Sequence, residues 1–139
     1  MKANLTTTCS VQIQEEIRAF LTDFLEEATI KDAVKNQLVL ATDEAIANAI
    51  IHGNEADNTR SIQIDIDLND KRIVIEISDI GLFDEITKQD KKDKDLKAII
   101  KDKQKGGLGL KLIYSIMDIV CFYTKDRKSY CRLVKLLQP

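Results

Sequence analysis

The segment "SIQIDIDL" (residues 61–68) alternates without a fault. Ile62, Ile64, Ile66 and Leu68 fall on one face of an extended chain, and Gln63, Asp65 and Asp67 on the other. After "NDK" at 69–71, "RIVIEIS" returns with Ile73, Ile75 and Ile77 in the same phase. The pair reads as a β-hairpin with one apolar and one wet face. Such a hairpin belongs to an antiparallel sheet covered on one side only. The rest of the chain must therefore supply a roof.

Two helices precede the hairpin. From Gln12 to about Thr29, Ile13, Ile17, Phe20, Leu21, Phe24 and Leu25 recur at helical steps. A second helix runs from near Lys31 to near His52, with Val34, Leu38, Ala41, Ala45 and Ala49 on its buried face. The following "HGNEADN" is loop-forming. Residues 84–105 are dense in charge of both signs and break every period. "GGLGLKLIYSIMD" then opens a third helix behind glycines, and "IVCFYTKDRKSYCRLVKLL" forms a second hairpin turning at 125–128. Residues 1–11 have the β-branched content of a short edge strand. Helices over one face of a mostly antiparallel sheet predict an α+β fold, a two-layer α/β sandwich, in a single domain spanning 1–139.

With 139 residues and 44% hydrophobic content, one domain can bury a real core. The net charge of -2 argues against a broad electrostatic hold on nucleic acid. The apolar runs fall far short of a membrane span. The three cysteines, Cys9, Cys121 and Cys131, are not at metal-ligand spacing and fit free thiols in a reducing cytoplasm. Cys121 and Cys131 sit on neighbouring strands, where they could face each other.

The second helix carries a polar column. Glu44, Asn48 and His52 are four apart and stack on one face. An exposed stripe is the default for an amphipathic helix. Against it, Asn is a poor mid-helix residue, and Ile46, Ala47, Ile50 and Ile51 make the surroundings partly dry. A carboxylate and an amide oxygen one turn apart suit a general base and a Mg²⁺ ligand. Two glycine motifs add to this. In "SDIGLFD", Asp79 ends a strand two residues before Gly81, so an acid can accept from an amino group while glycine admits a flat ring. In "KGGLGL", Gly106, Gly107 and Gly109 open a helix whose free N–H groups suit phosphate.

"DEAIANAIIHGN", "DIG" and "GGLGLKLIYSIMD", in this order, resemble the ATP-binding domain of the GHKL superfamily, the Bergerat-type fold of gyrase and histidine kinases. The "DEAxxNAxxHG" form and the closing "CRLVKLL" resemble most the bacterial anti-sigma factor serine/threonine kinases. The resemblance implies that Glu44 orients or deprotonates the attacking hydroxyl and that Asn48 ligates Mg²⁺. It implies that Asp79 accepts the adenine amino hydrogen beside Gly81, with Ser129 near the adenine. Gly106, Gly107 and Gly109, with the N–H groups of Leu108 and Leu110, would hold phosphates. Residues 84–105 would form the ATP lid. His52 matches the family motif, but a single histidine more often settles a local hydrogen bond, here packing or capping the helix end, than does chemistry. The implied partners are a sigma factor and an anti-sigma antagonist protein, with the kinase as a homodimer and neither nucleic acid nor membrane bound directly. One departure stands out: "DIGLFD" is a residue short and lacks the family's second small residue before Phe-Asp. That motivates an alternative, a non-catalytic anti-sigma or adaptor protein with a degenerate nucleotide site. A histidine-kinase-like catalytic fragment ranks last.

Overall fold

The computed structural model describes residues 1–8, 12–52, 61–79, 109–126 and 128–137. Among these residues eight elements follow in the order β1 (Lys2–Thr8), α1 (Ile13–Glu26), α2 (Asp32–His52), β2 (Ser61–Leu68), β3 (Arg72–Asp79), α3 (Gly109–Ile116), β4 (Ile119–Lys125) and β5 (Lys128–Leu136). The five strands form one sheet in the order β1-β2-β3-β5-β4, with every neighbouring pair antiparallel. This is the expected α+β sandwich. Residues 84–105 lie outside the described residues.

The hairpin alternation carries into the structure unchanged. Ile62, Ile64, Ile66, Ile73, Ile75 and Ile77 are all buried, with Cys131 and Leu133 of β5 continuing the same face. Ile13, Ile17, Leu21 and Leu25 of α1 cover this face together with Leu38, Ala41, Ala45 and Ile46 of α2. Leu110, Ile113 and Ile116 of α3 complete the core. α1 ends at Glu26, three residues before the expected Thr29, and Ala28 N–H closes the turn onto the Leu25 carbonyl at 3.0 Å. The turn at 69–71 is built by Asn69, whose Oδ1 accepts from the N–H groups of Lys71 (2.8 Å) and Arg72 (3.0 Å). At the other hairpin, Asp126 takes φ 52°, a left-handed position that a short polar side chain tolerates.

The outer sheet face is only partly wet. Val74 and Val134 are register partners on it, and both are buried. Beside them Tyr123 Oη donates to Glu76 Oε2 at 2.5 Å, and Arg132 Nη1 lies 3.7 Å from the same oxygen. The Tyr123 ring stacks on Tyr130 with centroids 4.8 Å apart. Burial first, and then the hydrogen bond to Glu76, push the Tyr123 phenol up to about 12.

The two hairpin cysteines do not face each other. The register opposes Cys121 to Arg132 and Phe122 to Cys131. An offset of one residue puts the thiols on opposite faces of the sheet, because successive side chains alternate. Both are free; Cys131 is buried, which drives its thiol pKa upward, and Cys121 is exposed.

Candidate active site

The site is built on α2. Asp43 and Glu44 are consecutive, so they project about 100° apart around the helix. Asp43 turns toward α1, where Arg18 Nη2 meets its Oδ2 at 2.9 Å. Glu44 is set about 100° around the helix from that contact and is half-buried. Among the described residues its carboxylate makes no hydrogen bond or ion pair. Ala45, next in line, is buried in the core and fixes which side of α2 faces the sheet. Asn48 lies one turn beyond Glu44 in the same helix, which runs unbroken to His52. The side chains of Asn48 and His52 are outside the described residues.

Asp79 is the last residue of β3, and its register partner is Ser129 of β5. The structure thus brings these two sequence-expected residues side by side. Ser129 is 1% exposed, a small hydroxyl at the end of a core-facing row. The same end of the sheet holds Ser61, where the chain arrives from α2, paired with Thr8, where it leaves for α1. The side chain of Asp79, and all of Gly81, lie outside the described residues.

α3 begins at Gly109 and packs against α2. Leu110 is 3% exposed and belongs to the core, so only its main-chain N–H is free for a ligand role. The far end of α3 is tied down: Lys135 Nζ donates to the Ile116 carbonyl at 2.9 Å, a cation on the negative end of the helix. Gly106, Gly107 and Leu108 lie outside the described residues.

A groove of about 490 Å³ lies on the other flank of α2, between it and α1, lined by Arg18, Thr22, Val39, Leu40 and Asp43 among others. Another, of about 350 Å³, sits on the outer sheet face beside Asp65, Arg72 and Glu76. Neither contains Glu44 or Ser129. Sequence reasoning missed two features around Glu44. Thr42 is 2% exposed, with no partner for its hydroxyl among the described residues. Asp43 is held by α1 across 25 residues of sequence, a pairing that no local pattern signals.

Among the described residues, helices cover one face of an open antiparallel sheet, with an acid on α2 and the glycine-started α3 packed beside it. The chain belongs to the histidine kinase-like ATPase domain family, whose sequence pattern matches residues 7–135. No curated protein sequence gives a significant match. Among solved structures, one containing the RsbU and RsbW domains of a Mycobacterium tuberculosis protein is similar over 100% of this chain, at 17% identity and a TM-score of 0.69. This chain spans 33% of that one. A chain of the SiaB–SiaC complex from Pseudomonas aeruginosa is similar at 16% identity and a TM-score of 0.64, over 97% of this chain and 89% of that one. At such identities the likeness is one of fold. No helix among the described residues is long and apolar enough to cross a membrane.

Proposed function

We propose that the chain is an ATP- and Mg²⁺-dependent serine/threonine protein kinase acting as an anti-sigma regulatory factor. In this reading it phosphorylates an antagonist protein and sequesters a sigma factor in the cytoplasm. The observation that carries it is the placement of Glu44. It is half-buried, one turn before Asn48, on the helix that packs against glycine-started α3.

The donor set fits the cofactor. Mg²⁺ prefers oxygen ligands and commonly takes only one or two from protein, the rest from phosphates and water. Asn48 would hold the ion through its amide oxygen. Asp79 would accept from the adenine amino group, with Ser129 adjacent and Gly81 beneath the ring. The N–H groups of Gly106, Gly107, Leu108, Gly109 and Leu110 would hold phosphate oxygens, and residues 84–105 would cover the nucleotide.

ATP, when bound, supplies the phosphoryl group. Glu44 orients the acceptor hydroxyl and takes its proton. Little covalent chemistry is asked of the protein in such a transfer, so positioning and charge neutralisation carry most of the rate. A new phosphoserine or phosphothreonine adds close to two negative charges, enough to break or make a docking contact on the antagonist. The neighbour solved as a complex of two proteins, SiaB with SiaC, supports a protein partner. Ile119 and Leu136, exposed on the outer sheet face beside Val134, support a homodimer.

The shortened "DIGLFD" favours the second reading, a non-catalytic adaptor with the same fold. One experiment separates them. The chain is incubated with γ-labelled Mg·ATP and a candidate antagonist. The kinase reading expects label on a serine or threonine of the antagonist, and a loss of about 10²- to 10⁴-fold in Glu44→Gln. Stable binding of the antagonist without label transfer supports the adaptor instead.

A further inference from the structure

α1 grips one of two neighbouring acids on α2 and leaves the other loose. Gln14 Nε2 donates to the main-chain carbonyl of Asp43 at 3.1 Å. Arg18 Nε donates to Asp43 Oδ2 at 2.9 Å, and Arg18 Nη2 stands 2.9 Å from the same oxygen. Gln14 and Arg18 are four apart on α1, so they share one face and reach the same residue together. One contact holds the backbone of α2 and the other holds a side chain. Among the described residues these are the only hydrogen bonds and the only ion pair linking the two helices.

The two helices also share one apolar cluster, to which Leu21, Leu25 and Leu38 belong and against which Val39 packs. Burial of Ala41 and Ala45 sets which side of α2 faces the sheet, but apolar packing is not directional and leaves the fine angle about the helix axis to the polar contacts. The direction of Glu44 depends on that angle. A helix with its side chains has a radius of about 5–6 Å, so a roll of about 15° moves a side-chain tip by roughly 1.5 Å. A misplacement near 1 Å can cost a reaction about 10²-fold.

We propose that Gln14 and Arg18 are positioning residues that clamp α2 through Asp43 and so aim the Glu44 carboxylate. The proposal rests on Glu44 being the base of the proposed kinase. Neither residue touches the reacting atoms.

The test uses the full chain. Arg18→Met keeps the stem and removes the charge, Asp43→Asn keeps the shape, and Arg18→Glu with Asp43→Arg reverses the pair. The clamp predicts a 10- to 100-fold fall in kcat for each single variant, ATP KM within about twofold, and partial recovery in the reversed pair. The Arg18 side chain is 46% exposed, so high salt should lower wild-type kcat in the same direction and leave Arg18→Met flat. Unchanged kcat in both single variants overturns the proposal, as does a joint collapse of kcat, KM and melting temperature without recovery in the reversed pair. Should wild type show no turnover, the kinase reading fails and amide hydrogen exchange decides the clamp. Faster exchange at 44–47 than at 36–39 on replacing Arg18 upholds it; equal exchange overturns it.

Discussion

Leu110→Ala tests how the glycine-started helix is held. Leu110 is the second residue of α3, 3% exposed, and part of the same core as Ile113 and Ile116. The substitution removes three buried carbons from a core cluster in which the isoleucines of the sheet are packed together with α1 and α2. Leu→Ala changes at such sites cost about 2–5 kcal/mol. Leu110 stands at the edge of the helix, so about 3 kcal/mol is the working value. Unfolding entropy near ~2.1 cal/mol/K per residue gives about 0.29 kcal/mol/K for 139 residues. The melting temperature should then fall by roughly 10 °C, read by circular dichroism. Lys111, next in sequence, is exposed, and Lys111→Ala should stay within about 2 °C of wild type. A shift below about 2 °C in Leu110→Ala, or equal shifts in both variants, would refute the packing argument. The main-chain N–H groups at the helix start would then lack the anchor that aims them.

Three further outcomes follow from the same structure. Tyr123, pushed up to about 12 by burial and its bond to Glu76, contributes stability that is fully present below its ordinary value of 10. That contribution is lost as pH rises through about 12, so urea unfolding of wild type should weaken between pH 10 and 12 more than that of Tyr123→Phe; parallel curves would remove the pairing. In the native chain an alkylating reagent should label Cys121, while Cys131, buried and with its thiol pushed up, should label only in denaturant, as peptide mass spectrometry would read. Val134→Asp, which puts a charge against Val74 on the outer sheet face, should destabilise strongly although that face is nominally wet; a melting temperature within about 2 °C of wild type would mean that Val134 is not buried there.

Much of the fold was legible because its signals are local. The alternation of 61–78 places each isoleucine correctly, since a strand has only two faces. The bounds of α2, Asp32–His52, fall close to the expected ones because the helical pattern of the sequence gives way after His52 to the loop-forming composition of "HGNEADN". The misses are long-range. Pairing of β3 with β5 joins strands separated by α3 and β4, and no period in the sequence encodes that choice. Val74 and Val134 were not marked as buried, because each sits alone in its strand and becomes apolar core only through the other. The facing of Cys121 and Cys131 failed on a shift of one residue in register, which reverses the face. At the candidate site, Glu44 stood out through its helical spacing and Ser129 through the resemblance; the pairing of Ser129 with Asp79 shows only in the register. Asp43 did not, because its partners lie on another helix.

The proposed activity stands or falls on nucleotide binding. Mg·ATP titrated into the chain in a calorimeter should give saturable one-to-one binding that disappears without Mg²⁺. Asp79→Asn should abolish the heat, and Glu44→Gln should retain it while losing phosphoryl transfer. No heat with wild-type chain up to millimolar nucleotide would contradict the account and leave the family fold without its family ligand.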